Sequence, residues 1–391
     1  MTEPNKHLTF RNSTWTVSAL ALAILFIVIA AVGALRPQHS VPLDAHFPTA
    51  PTSADLAALR QAYAGPPHSW PRPRLLAGAE FVEMAPLALR EPSDGRERNL
   101  ARLGAQLFED PLLSASGHIS CQSCHNRRLG WGDALPTSFG HSRTQGRRNA
   151  QSLFTVGYKS QFFWDGRAAS LEEQALGPLT DGREMANHDI AGLVARVEAI
   201  DRYREAFAAV TDHAHIGIDD ITTALAAFQR TLERQTRFDR FMEGDNTALT
   251  DAEIWGLHLF RTKAGCANCH SGATLSDGRF HNLGLSFFGR RLQDLGRYGV
   301  TGNTEDTGRF LTPSLRHVSK TAPYMHNGIF PTLGGLVRFY EGGGGRVRTD
   351  RPVSPERAAE RAAAAEKSSQ LKSFQLTPAE RQALVSYLEA L

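Results

Sequence analysis

Apolar residues recur at helical spacing through most of this chain and alternate at strand spacing almost nowhere, so the pattern predicts a mainly helical fold with long loops. Leu100, Leu103 and Leu107 share one face of a helix over Glu97–Phe108, which Asp110-Pro111 stops. Two further helices are predicted over Ile190–Ala209 and Ile218–Gln235, the second with Ile218, Ile221, Leu225, Phe228 and Leu232 on one face. Thr250-Asp-Ala-Glu253 and Thr377-Pro-Ala-Glu380 are capping boxes that open two more, and a short helix fits Ser53–Tyr63.

One stretch breaks the amphipathic rule. Trp15 to Leu35 is apolar without a charge and follows Lys6 and Arg11, the flank of an export signal. A run of about 20 residues can span a bilayer, whereas signal-peptide cores run roughly 7–15. Residues 1–36 are therefore read as a signal peptide or a retained membrane anchor. Either places the remainder outside the cytoplasmic membrane, in the periplasm.

Composition adds little except through cysteine. The 391 residues allow two domains of ordinary size, and 43 basic against 40 acidic side chains form no cluster that would point to nucleic acid. The four cysteines all fall in two C-x-x-C-H motifs, Cys121-Gln-Ser-Cys124-His125 and Cys266-Ala-Asn-Cys269-His270. This order suits covalent attachment of two c-type haems, with His125 and His270 as proximal iron ligands. No cysteine remains for a disulfide or a catalytic thiol, and zinc is the minor alternative.

The surroundings of the two motifs repeat. Gly104-x-x-Leu107-Phe108 precedes the first as Gly256-x-x-Leu259-Phe260 precedes the second, and Asp165-Gly166…Ser170-Leu171 returns as Asn327-Gly328…Thr332-Leu333. The expectation is two cytochrome c-like domains related by internal duplication. Their bounds are 96–240 and 241–391, after a linker and N-terminal extension over 37–95, with a Gly/Ala-rich surface insertion at 342–369 in the second. Thirteen residues past Asp165 stands Pro178, and thirteen past Asn327 stands Tyr340. Tyrosine is an iron ligand in some haem proteins, and proline has no donor atom. If both positions face their haems, the first iron is open and the second closed. Spacing alone leaves Tyr340 either a ligand or a packed aromatic, with Met325 the rival ligand. On an open face, Gln174 and Glu184 are candidates to hold peroxide and move its proton. By residue type alone the surface readings are favoured, Gln174 facing solvent from a short helix and Glu184 in a loop.

The segments FFWDGRAASLEEQALGPL…EM and TPSLRHVSKTAPYMHNGIFPTL, with both haem motifs, resemble the bacterial dihaem cytochrome c peroxidase and MauG family over about Leu100 to Tyr340 plus the last helix. The resemblance implies a peroxidatic haem on His125 and an electron-transfer haem on His270, with Trp164 as relay between them. It makes Gln174 and Glu184 the distal pair, and places one calcium ion on Asn149, Thr321 and Pro323. The peroxidase branch carries Met where Tyr340 stands, and Tyr there resembles the MauG branch. His141, sixteen residues past His125, matches the histidine that caps the resting peroxidatic iron in the peroxidase branch.

The expected function is hydrogen peroxide reduction, with electrons from a small cytochrome c or copper protein. The alternatives are a MauG-like oxidation of side chains on a partner protein and a non-catalytic two-haem electron carrier. A homodimer is left open.

Overall fold

The computed structural model describes residues 47–348 and 352–391. The apolar Trp15–Leu35 segment lies outside them. Its helices are α1 (Ser53–Tyr63), α2 (Gly95–Glu109), α3 (Cys121–Cys124), α4 (Leu171–Thr180), α5 (Ile190–Glu198), α6 (Asp201–Ala208) and α7 (Ile218–Gln229). They continue with α8 (Arg237–Met242), α9 (Asp251–Arg261), α10 (Tyr298–Thr301), α11 (Leu333–Glu341), α12 (Pro355–Ala365) and α13 (Pro378–Ala390). Two three-residue strands, β1 (Phe280–Asn282) and β2 (Arg309–Leu311), pair antiparallel. Among the described residues no helix is long and apolar enough to cross a membrane.

Two close helix crossings organise the packing. A Cβ on Gly104 of α2 would lie 1.8 Å from the Ala224 carbonyl oxygen of α7. One on Gly256 of α9 would lie 2.1 Å from that of Ala383 in α13. Only glycine permits backbones this near. Around the first crossing Leu103, Leu107, Phe207, Ile221 and Leu225 are buried together. Around the second, Phe238 and Phe260 both meet the Tyr387 ring edge-on at 5.3 Å. Each C-x-x-C-H motif follows the glycine helix of its crossing, so the crossings set where the motifs sit.

The backbone past the motifs repeats at one constant sequence offset. Left-handed φ values recur at Thr155 and His317 (62° and 58°), Phe163 and Met325 (64° and 72°), and Gly166 and Gly328 (70° and 61°). The bridge Phe162–Ala168 returns as Tyr324–Phe330. Helices α4 and α11 then start from Ser170 and Thr332, each accepting a backbone N–H three residues on.

Two expected helices differ. Ile190–Ala209 is broken into α5 and α6 at Ala199–Ile200, and the burial explains it. Leu193 and Val197 share a face, but the next buried pair, Tyr203 and Phe207, is out of phase with them. A continuous helix would turn one pair to water. Helix α7 ends at Gln229 rather than Gln235, because the chain must turn for the Glu233 carboxylate to reach the Thr155 N–H (2.7 Å) and His317 Nε2 (2.7 Å).

Residues 71–85, within the 37–95 stretch read as linker and N-terminal extension, are bonded to the second half, while Leu87 and Ala88 bond Asp239 and Tyr158 of the first. Arg74 N–H donates to the Arg261 carbonyl (2.8 Å), Leu76 N–H to Asn268 Oδ1 (2.6 Å), and Glu83 pairs with Arg261 (2.5 Å). The Gly342–Ser369 segment is likewise docked. It carries α12, buries Ala364, and gives the carbonyls of Ala363, Ala364 and Glu366 to the Asn282 amide. Ion pairs tie the halves together: the buried Arg316–Asp239 pair (2.6 Å), and the half-buried Arg148, which holds Asp165 of its own half and Asp294 of the other (2.6 Å each).

Candidate functional site: two cavities on two histidines

Each motif opens into a cavity. The first, about 600 Å³ with the solvent-filled space at its mouth counted, is lined by Cys121, Cys124 and His125, and by Gln174, Pro178 and Glu184 from α4 and the loop after it. The second, about 1770 Å³ on the same count, is lined by Cys266, Cys269, His270, Met325 and Tyr340 with an apolar wall from Leu333, Leu336 and Val337.

The two histidines are held alike. His125 Nδ1 bonds the Trp131 carbonyl and His270 Nδ1 the Leu275 carbonyl, both at 3.0 Å. A carbonyl only accepts, so Nδ1 carries the proton in each ring and the Nε2 lone pair is free for a metal. Burial holds both imidazoles below their ordinary pKa, hence neutral. Burial also pushes the thiols up, Cys124 to about 11 and Cys121, Cys266 and Cys269 to about 12, and none is in a disulfide. Two thiols and a neutral imidazole on the wall of an apolar cavity fit a covalently attached haem on each motif.

The two distal sides differ. Pro178 and Tyr340 stand at the repeated position of α4 and α11, each on a cavity wall. Burial raises the Tyr340 phenol, which also feels the nearby Cys269 and Cys266 sulfurs. In the first cavity Glu184 is desolvated and faces the charge of Asp181, so its carboxyl is raised above the ordinary glutamate range. Its carbonyl accepts the His141 N–H (2.8 Å), an approach that Gly140 permits because any Cβ there would sit 2.7 Å from Glu184 Cα. The His141 ring lies in a tight turn, its Nδ1 buried without a partner.

Between the cavities runs the Trp164 segment. The indole is buried, lines the second cavity, and donates from Nε1 to the Asn149 carbonyl (3.0 Å), while the next residues lead into α4. Asn149, Thr321 and Pro323 also line the second cavity. The Asn149 amide nitrogen donates to the Leu135 carbonyl (2.9 Å), leaving Oδ1 free, and no hydrogen bond among the described residues uses the Thr321 or Pro323 carbonyl. Those are three hard oxygen donors without a claimant.

Sequence reasoning missed His326. Its ring stacks on Phe310 (3.7 Å between centroids) and meets Trp164 edge-on (6.3 Å), with Nε2 unpartnered. The repeated pattern held the signal, because His326 directly follows the left-handed Met325 as Trp164 follows the left-handed Phe163. Arg148, bridging Asp165 and Asp294, was also missed and carries no sequence signal.

Two covalent-haem motifs, each with a neutral histidine and a lined cavity, define a two-haem c-type protein. Comparison with known proteins makes this specific. Residues 98–247 match the family described as di-haem cytochrome c peroxidase. Cytochrome c551 peroxidase of Nitrosomonas europaea is 38% identical over 291 residues, covering 72% of this chain and 85% of the relative. Methylamine utilization protein MauG of Methylorubrum extorquens is 37% identical over 293 residues, covering 74% and 77%. A solved MauG-like protein, associated with microbial copper homeostasis, superposes with a TM-score of 0.67 at 31% identity over 80% of this chain and 93% of the other. The chain belongs to the di-haem cytochrome c peroxidase family, and membership implies two c-type haems.

Proposed function

We propose that the protein reduces hydrogen peroxide to water at the His125 centre, taking two electrons from an external small redox protein. The observation that carries this is the unequal pair of distal sides. A proline with no donor atom and a raised glutamate line the first cavity, and a phenol lines the second.

Cys121, Cys124 and His125 would hold a c-type haem, which would supply peroxide binding and the electron chemistry. The protein supplies the proton movement. The Glu184 carboxylate takes the proton from the inner peroxide oxygen and returns it to the outer one, which leaves as water. The Gln174 amide holds the oxygen in place. Trp164, in the segment that joins α4 to the second cavity, would carry electrons between the two haems, and Tyr340 would supply the second with a phenol ligand. His141 is the candidate resting cap of the first.

The repeated backbone supports an internal duplication, with one haem per copy. Asn149, Thr321 and Pro323 would hold a calcium ion through their unclaimed oxygens. Export to the periplasm rests on residues 1–36 and on covalent haem attachment.

Turnover of peroxide with a reduced small cytochrome or copper protein tests the reading, and its absence with every such donor would overturn it. Tyr340 favours a second reading, a MauG-like oxidation of a partner protein's side chains. That reading requires peroxide-dependent modification of a protein when no donor is present.

A further inference from the structure

The two cavities differ in charge as well as in ligands. Among the described residues, three cationic side chains and no carboxylate line the second cavity: Lys159, Arg316 and Lys372. One charged side chain, Glu184, lines the first.

The three cations are not equivalent. Arg316 is committed, its Nη1 to both oxygens of Asp239 (2.7 and 2.6 Å), its Nε to the Ala273 carbonyl and its Nη2 to that of Ala85. Lys372 is exposed. Lys159 belongs to the first half of the chain, directly after the Val156–Tyr158 turn, yet reaches the second cavity. It is partly buried, and no hydrogen bond or ion pair among the described residues engages its ammonium.

Lysine is seldom withdrawn from water without a partner. Here burial pulls Lys159 down to about 8, the mark of a cation facing an apolar wall with no anion beside it. The occupant that the haem motif calls for carries two propionate carboxylates. Those are the anions the cavity itself lacks.

We propose that Lys159 pairs with a propionate of the haem on His270, anchoring it from the opposite half of the chain and raising that centre's reduction potential. This rests on the two-haem reading. The ion pair adds a positive charge near a centre whose reduced form is the more negative one, so Coulomb attraction favours reduction. The first centre, walled by Glu184 and no cation, receives no such bias. Lys159 thereby helps order the two centres, drawing donor electrons to the second. It is a positioning residue, since it acts on the iron through the propionate.

The test uses the full-length holoprotein with Lys159→Met, which keeps length and apolarity while deleting charge, and Lys159→Arg, which keeps charge. Haem content by pyridine haemochrome comes first, and a wild type with fewer than two haems per chain sinks the two-haem reading whatever Lys159 does. With two haems present, spectroelectrochemical titration should show a lower midpoint for the second haem in Lys159→Met, a smaller change at the first, and near wild-type values in Lys159→Arg. Loss of the second haem from Lys159→Met alone also supports the anchoring. An unchanged second midpoint in Lys159→Met, or an equal shift or haem loss in both variants, overturns the proposal.

Discussion

Pro178 and Tyr340 hold the same position in two equivalent helices, each on the wall of its own cavity. A proline ring offers an iron nothing. A phenol offers oxygen. In the proposed function, this one difference between two helices separates the centre that takes up peroxide from the one that only passes electrons.

Removing the phenol should therefore open the second centre. In Tyr340→Phe the low-spin EPR signal of the second haem is expected to give way to a high-spin one, while the first haem's signal stays. Met325→Leu should leave both spectra as in wild type. If Tyr340→Phe keeps its low-spin signal and Met325→Leu loses it, the axial assignment passes to methionine.

Glu184 should show itself in pH dependence as well as in rate. Glu184→Gln is expected to slow peroxide cleavage by roughly 10²–10⁴-fold, read in stopped-flow single turnover. The carboxyl must be ionised to accept the peroxide proton, and burial with the nearby Asp181 charge raises its pKa. Wild-type cleavage should therefore fail on acidification at a pH above the ordinary glutamate value of about 4.3. That acid limb should vanish in Glu184→Gln. A limb that persists there belongs to another group.

Motif and repeat made much of the site legible before any coordinates. The haem cysteines and both histidines are local in sequence and fixed by the spacing that covalent attachment needs, and the Pro178–Tyr340 contrast follows from matching the segments after Asp165 and Asn327. The helix ends at Thr250 and Thr377 were equally readable, because a capping box is satisfied within three residues. Long-range pairing was not readable. Nothing in the sequence says that Arg148 bridges Asp165 and Asp294, or that Lys159 crosses to the other cavity, since each depends on how loops distant in the chain are packed. The break between α5 and α6 lay in plain view as a phase slip, hidden only because neither Gly nor Pro stands at Ala199–Ile200 to mark it.

Trp164 gives a test of communication between the centres. Its indole N–H is fixed on the Asn149 carbonyl and its plane is set against His326, so Trp164→Phe removes the redox-active ring at little cost in volume. Single-turnover peroxide cleavage at the first haem should be nearly unchanged, whereas donor-driven steady-state turnover should fall at least about tenfold, a change of about 1.4 kcal/mol in barrier. Equal losses in both assays would mean that the indole only holds the fold.

The helix crossings can be tested by a pair of glycine substitutions with opposite expected signs. In Gly334→Ala the new methyl meets no atom within 4 Å, and α11 gains up to about 1 kcal/mol from helix propensity. The same gain is available to α9 in Gly256→Ala. There, however, the methyl would lie 2.1 Å from the Ala383 carbonyl oxygen and 2.6 Å from Tyr387 Cβ, atoms of a packed helix that cannot swing aside. Overpacking costs typically about 1–3 kcal/mol, and a clash with backbone belongs at the upper end, so repulsion outweighs propensity. Thermal denaturation should show Gly334→Ala at or above wild type and Gly256→Ala clearly below it. Because α9 leads directly into Cys266, the second variant should also disturb the His270 haem spectrum while leaving the His125 spectrum alone. A Gly256→Ala protein as stable as wild type would mean that the two helices can part without strain, and that the crossing does not fix the second haem motif.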